Sequence, residues 1–150
     1  DMAFFCDLSP WRTPLTASKE PLFVYRDDRE FRKFDKFESV LNRPDVIKSD
    51  WPTLMPKTIG ERLFRKLHHR SVCIPKLYDA IAYSLYRPYL LRSAVSFVDR
   101  HEEVYTTRMH AGILAVMLGK KTTFFDNSYG KTRRLFETWL DGCEGVSLIA

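Results

Sequence analysis

Two short runs hold the residue types that handle anions and protons. "TTRMH" (Thr106 to His110) sets a guanidinium two residues before an imidazole, and "DNSYGK" (Asp126 to Lys131) ends in an ammonium. A third cation, Arg26, closes the apolar run "PLFVY" and opens the charged cluster "RDDRE". Arg can grip a carboxylate or phosphate through two parallel N–H bonds. An imidazole, with an ordinary pKa of about 6.5, can give or take a proton near neutrality. Arg26, Arg108, His110 and Lys131, set against Asp27, Asp28 and Asp126, therefore suit an anionic ligand and a proton-transfer step. Singly, each has a plainer reading. A strand-end Arg is ordinarily solvated, and a His at a helix start ordinarily caps or packs. Their meaning depends on whether the fold brings them together.

The chain pattern says that it should. "PLFVYR" predicts a buried strand over 21–25, and 45–51 a second strand with its exit loop. Phe31, Phe34 and Phe37, then Leu41, suit a short helix or turn with one aromatic face. Ile59, Leu63, Phe64 and Leu67 give "TIGERLFRKLHHR" one apolar side, as an amphipathic helix requires. Helical spacing continues from 75 to 100, and Pro88 predicts a break between helices at 76–86 and 89–100. Strand 103–107, helix 110–118, strand 121–125, helix 129–141 and strand 146–149 follow. Gly119 and Gly142 fall where helix C-terminal caps belong. Residues 1–20, with Pro10 and Pro14 and little periodicity, read as an irregular lead-in.

Strands alternating with helices predict an α/β fold, a Rossmann-like open parallel sheet with helices on both faces. Crossovers in such a sheet share one hand, so every strand discharges onto one edge, where ligands bind. The strands 21–25, 103–107 and 121–125 would bring Arg26, Arg108, His110 and Lys131 to that edge. The helix beginning near His110 would turn unpartnered N–H groups and its positive dipole end the same way. Asn127 or Ser128 is expected to cap the following helix.

Composition narrows the partners. A chain of 150 residues with 45% hydrophobic and 29% charged content is one globular domain able to bury a core. No apolar run approaches the ~20 residues of a membrane-spanning helix, and "DMAFFCDLSPW" does not read as a secretory leader. The net charge of +5 favours anions, but the cations are scattered rather than gathered in a stripe, which argues against nucleic acid. Cys6, Cys73 and Cys143 form neither a disulfide framework nor a metal spacing, so a reducing compartment is expected. His68, His69 and Cys73 lack a third ligand at suitable spacing and read as a solvated helix. His101 reads as a loop residue, and Asp27, Asp28 and Glu30 as a solvated acidic turn. No metal site is expected.

The run "VYTTRMHAGILAVMLGKKTTFFDNSYGK" resembles the polysaccharide pyruvyl transferase family. Its pattern there is a strand into Thr-x-Arg-(Leu/Met)-His, a small-residue helix, a Gly-Lys turn, a second strand and Asp-Asn-x-Tyr-Gly-Lys. Weaker matches, "DMAFF" and "VYRDDRE", stand upstream in the right order. Residues 38–100 add no further motif to the resemblance. The resemblance implies transfer of an enolpyruvyl unit from phosphoenolpyruvate to two hydroxyls of a sugar, giving a cyclic ketal and phosphate, with no other cofactor. It implies His110 as catalytic acid or base, and Arg26, Arg108, Met109 (through its backbone), Asn127 and Lys131 as substrate-binding residues. It also implies a two-domain protein of the GT-B kind. On that reading 1–20 is a hinge from a preceding N-terminal domain and 21–150 the C-terminal Rossmann-like domain. Expected partners are phosphoenolpyruvate, a free or lipid-linked saccharide acceptor and that N-terminal domain. The expected location is the cytoplasm, including the inner face of the membrane. Two other readings stay open: a glycosyltransferase using a nucleotide sugar, and a ligand-binding half-domain. These 150 residues alone are expected to show little turnover.

Overall fold

The computed structural model describes residues 2–12, 20–25, 35–50, 84, 87–126 and 130–149. Five strands, β1 (Leu22–Val24), β2 (Ile47–Ser49), β3 (Glu103–Thr106), β4 (Lys121–Phe125) and β5 (Val146–Ile149), form one sheet. Their order is β2-β1-β3-β4-β5, and every pairing is parallel. Helices α1 (Asp35–Leu41), α2 (Arg87–Asp99), α3 (Met109–Met117) and α4 (Lys131–Trp139) are the described α-helices.

Side-chain alternation sorts the helices onto two faces. On one, Leu22, Val24 and Val104 pack with Val95 and Val98 of α2 and Ala111 and Ala115 of α3. That layer continues from Phe124 to Ile113 of α3 and Leu135 of α4. On the other face Phe23 and Phe125 pack with Val40 of α1 and with Val46. The fold is the expected α/β open parallel sheet with helices on both faces. β1 lies between β2 and β3 and is buried on both sides, which explains why "LFV" is apolar throughout. β2 is an edge strand, and its "IKS" is largely exposed.

Strand order creates a switch point. From β1 the chain crosses to β2 on one side, then returns over β1 to β3 on the other. Connections leaving toward opposite sides open a crevice above the C-terminal ends of β1 and β3.

Three expectations gain detail. Pro88 is the second residue of α2, whose start at Arg87 lies two residues before the predicted 89. His101 lies in the connection between α2 and β3, and it is buried there. It is 3% exposed, its Nδ1–H donates to the Glu20 carbonyl at 2.8 Å, and its ring meets Phe97 edge-on. The lead-in is irregular but docked: short 3-10 turns at Met2–Phe5 and Ser9–Trp11 lie on the domain. Phe4 stacks on Trp139 with centroids 6.0 Å apart, and Leu8 and Trp11 pack on the layer under α2. The predicted helix over "TIGERLFRKLHHR" (58–70), all of the predicted helix 76–86 but Ser84, the stripe residues Phe31 and Phe34, and Cys73 lie outside the described residues.

An acid-sensitive tether secures the lead-in. Arg12 forks onto Asp99 at 3.1 and 3.2 Å, and Lys120 reaches the same carboxylate at 3.0 Å. Burial pushes the Asp99 carboxyl up, but the hydrogen bonds from Arg12 and Lys120 outweigh it and hold it below the usual carboxylate range. A lowered folded-state pKa means stability present above the unfolded value of about 3.9 and lost as pH falls through the folded value. Asp99→Asn is expected to cost about 2–3 kcal/mol at neutral pH. It should also flatten the loss of stability below about pH 4. Urea unfolding at a series of pH values checks both; an unchanged acid limb would remove Asp99 from that role.

Candidate active site at the switch point

Because all five strands run parallel, Tyr25, Asp50, Thr107 and Asp126 follow their strands on one edge. Arg108 stands there as the N-cap of α3, with an extended backbone at φ −101° and ψ 113°. Thr106 fixes that geometry. Its buried hydroxyl accepts the Arg108 N–H at 2.9 Å and lies 2.9 Å from the Val24 carbonyl, to which it can donate. One threonine thus ties the exit of β3 to β1 and bends the chain into the helix. The Arg108 carbonyl then accepts the Gly112 N–H at 3.1 Å and starts α3.

The Arg108 side chain does not run out into solvent. Its Nε and Nη2 donate to the two carboxylate oxygens of Asp50 at 2.6 and 2.8 Å. Asp50 follows β2, and β2 and β3 flank β1 on either side. With strands about 4.8 Å apart, this fork bridges roughly 10 Å across the end of β1. The guanidinium is therefore held over the C-terminal end of β1 at the switch point, with its side chain about one-quarter exposed.

His110 is exposed in the first turn of α3, two residues from Arg108. The N–H groups of that turn lack intrahelical acceptors, so the helix presents partial positive charge beside both side chains. Met109 turns its side chain into the layer with Ile113, Phe124 and Leu135, leaving its backbone for the edge. Lys131 is exposed in the first turn of α4, one strand further along. Arg26, Asp27, Asp28 and Asn127 lie outside the described residues.

The cap of α4 differs from expectation. Gly130, not Asn127 or Ser128, is its N-cap, and the buried Asp126 carboxylate accepts the Arg133 N–H at 3.1 Å. The Arg133 guanidinium lies 3.4 Å from the same group. Asp126 therefore serves α4 from the end of β4. Among the described residues no cluster of three His, Cys, Asp or Glu could hold a metal.

Sequence reasoning did not single out Asp50 or the hydroxyl of Thr106. Asp50 follows a predicted strand, so the same exit rule would have found it had it been applied to the edge strand too.

The strand exits thus bring a held guanidinium and a histidine together at the switch point of a doubly wound α/β sheet. Comparison with known proteins gives the family. The model of the polysaccharide pyruvyl transferase family matches residues 1–129, and the chain belongs to that family. It is 40% identical over 70 residues to the Bacillus subtilis (strain 168) protein named "Putative pyruvyl transferase EpsO", covering 47% of this chain and 22% of that one. An uncharacterised Klebsiella pneumoniae subsp. pneumoniae NTUH-K2044 protein of solved structure shares the fold. Its TM-score is 0.63 at 20% identity, over 100% of this chain and 44% of that one. The chain thus spans less than half the length of either protein.

Proposed function

We propose that this domain binds phosphoenolpyruvate and takes part in moving its pyruvyl group onto two hydroxyls of a saccharide, releasing phosphate and forming a cyclic ketal. The observation that carries the reading is the Arg108 guanidinium, fixed across the end of β1 by Asp50 beside the positive end of α3. A donor with a carboxylate and a phosphate needs more than one cationic grip. Arg108 supplies one, and Arg26 and Lys131 are the candidates for the other.

The chemistry follows from the donor. Protonating the methylene carbon turns it into the methyl group and leaves cation-like character at C2. One saccharide hydroxyl attacks C2; the second displaces phosphate from it. One hydroxyl proton balances the proton gained by carbon, and the other leaves with phosphate. His110 is the residue in this reading that hands over or collects such a proton. The acceptor is a saccharide of a polysaccharide or its precursor. The other side of the cleft belongs to a further domain, as in two-domain glycosyltransferases. Among the described residues no helix is long and apolar enough to cross a membrane.

Calorimetric titration of the complete protein tests the donor. Phosphoenolpyruvate should bind, and Arg108→Ala should weaken it roughly 10²-fold, the loss expected for a charge-assisted fork. Binding of a nucleotide sugar in its place would turn the reading toward a glycosyltransferase.

A further inference from the structure

The donor reading leaves open what keeps Arg108 aimed, and the strand exits answer it. We propose that Asp50 is a positioning residue: it acts through Arg108, holding the guanidinium ready for the donor's carboxylate or phosphate. This rests on the proposed function. The geometry is specific. Asp50 takes the Nε and Nη2 side of the guanidinium at 2.6 and 2.8 Å, which turns the Nη1 side away from β2. A guanidinium is planar, so fixing one edge fixes the direction of the other. An anion can then be met by the Nη1 and outer Nη2 hydrogens without breaking the pair.

Asp50 is only 27% exposed and Arg108 25%. An ion pair sheltered to this degree holds its geometry better than one on an open surface. The backbone is fixed as well, since Thr106 clamps the Arg108 N–H at 2.9 Å. A donor arriving at a pre-ordered Arg does not have to freeze a long side chain itself.

The sign of one substitution separates this role from a bystander's. By Coulomb's law alone, removing the Asp50 charge should tighten binding of an anion nearby. A positioning role predicts the reverse. In the complete protein, Asp50→Asn, nearly the same shape, is expected to raise the Kd for phosphoenolpyruvate about tenfold, as when one many-rotamer side chain is left for the ligand to order. KM for phosphoenolpyruvate should rise while KM for the saccharide stays put. Asp50→Glu, which keeps the charge and both oxygens, should recover most of the affinity. In an Arg108→Ala background Asp50→Asn should no longer weaken binding, because the residue it acts through is gone.

Unchanged or tighter binding in Asp50→Asn overturns the proposal. So does an equal loss in the Arg108→Ala background, or a Glu variant as weak as Asn. Should Asp50→Asn fail to fold, Asp50→Ser, which also removes the carboxylate, takes its place in both comparisons and is read by the same rules. Failure of the unaltered protein to bind phosphoenolpyruvate sinks the donor reading and this proposal with it. Normal binding with any of the other outcomes sinks the positioning role alone.

Discussion

His110→Ala in the complete protein is expected to lower kcat by about 10²–10⁴-fold, the usual contribution of a general acid or base. Donor affinity should move little, because Arg108 and the end of α3 remain in place. The fold should survive: His110 is exposed on the first turn of α3, and Ala is the best helix former there. Thermal unfolding, a phosphoenolpyruvate titration and single-turnover rates on one preparation distinguish the possibilities. A large drop in kcat with an unchanged Kd and Tm is the signature of a group acting in the transition state. A normal rate removes His110 from the chemistry. A normal rate constant with weakened binding would recast it as a ligand contact instead.

Much of the architecture was legible because it rests on local pattern. "EVYT" and "KTTFF" are rich in β-branched and aromatic residues next to charged ones, and their strands fall within a residue or two of the predicted ranges. Gly119 and Gly142 follow α3 and α4 with positive φ of 73° and 78°, as caps chosen for that backbone should. Parallel direction, and so the common edge, followed from the alternation of strands with helices.

What escaped the reading is what depends on distance along the chain. Asp50 and Arg108 are 58 residues apart, and no spacing rule links two strand exits that meet over a third strand. His101 looks like a turn residue in "DRHEE" until the Glu20 carbonyl is brought to its ring. Arg26 and Asn127 are the predicted site residues that lie outside the described residues.

The depth at which α3 sits on the sheet is set by a single missing methyl group. Gly112 lies against the ring of Phe124, and a Cβ built there would fall 2.0 Å from Cε1 and 2.4 Å from Cζ. Ordinary carbon contacts are about 3.5–4.0 Å, so either the ring or the helix would have to move. The ring has nowhere to go. Phe124 is 0% exposed and hemmed in by Ile113, Leu135 and Leu140. Replacing a helical Gly by Ala would by itself gain about 1 kcal/mol. The overlap costs more, since overpacking a tight core runs to about 1–3 kcal/mol or beyond. We expect Gly112→Ala to destabilise the protein by about 2 kcal/mol net, lowering Tm by roughly 4–8 °C. Lifting α3 also displaces Arg108 and His110, so phosphoenolpyruvate affinity should fall in the same variant. Shortening the obstacle gives the decisive comparison: in a Phe124→Leu background, Gly112→Ala should cost far less. A neutral or stabilising Gly112→Ala, or equal costs in the two backgrounds, would mean that something other than this seat sets the height of the helix.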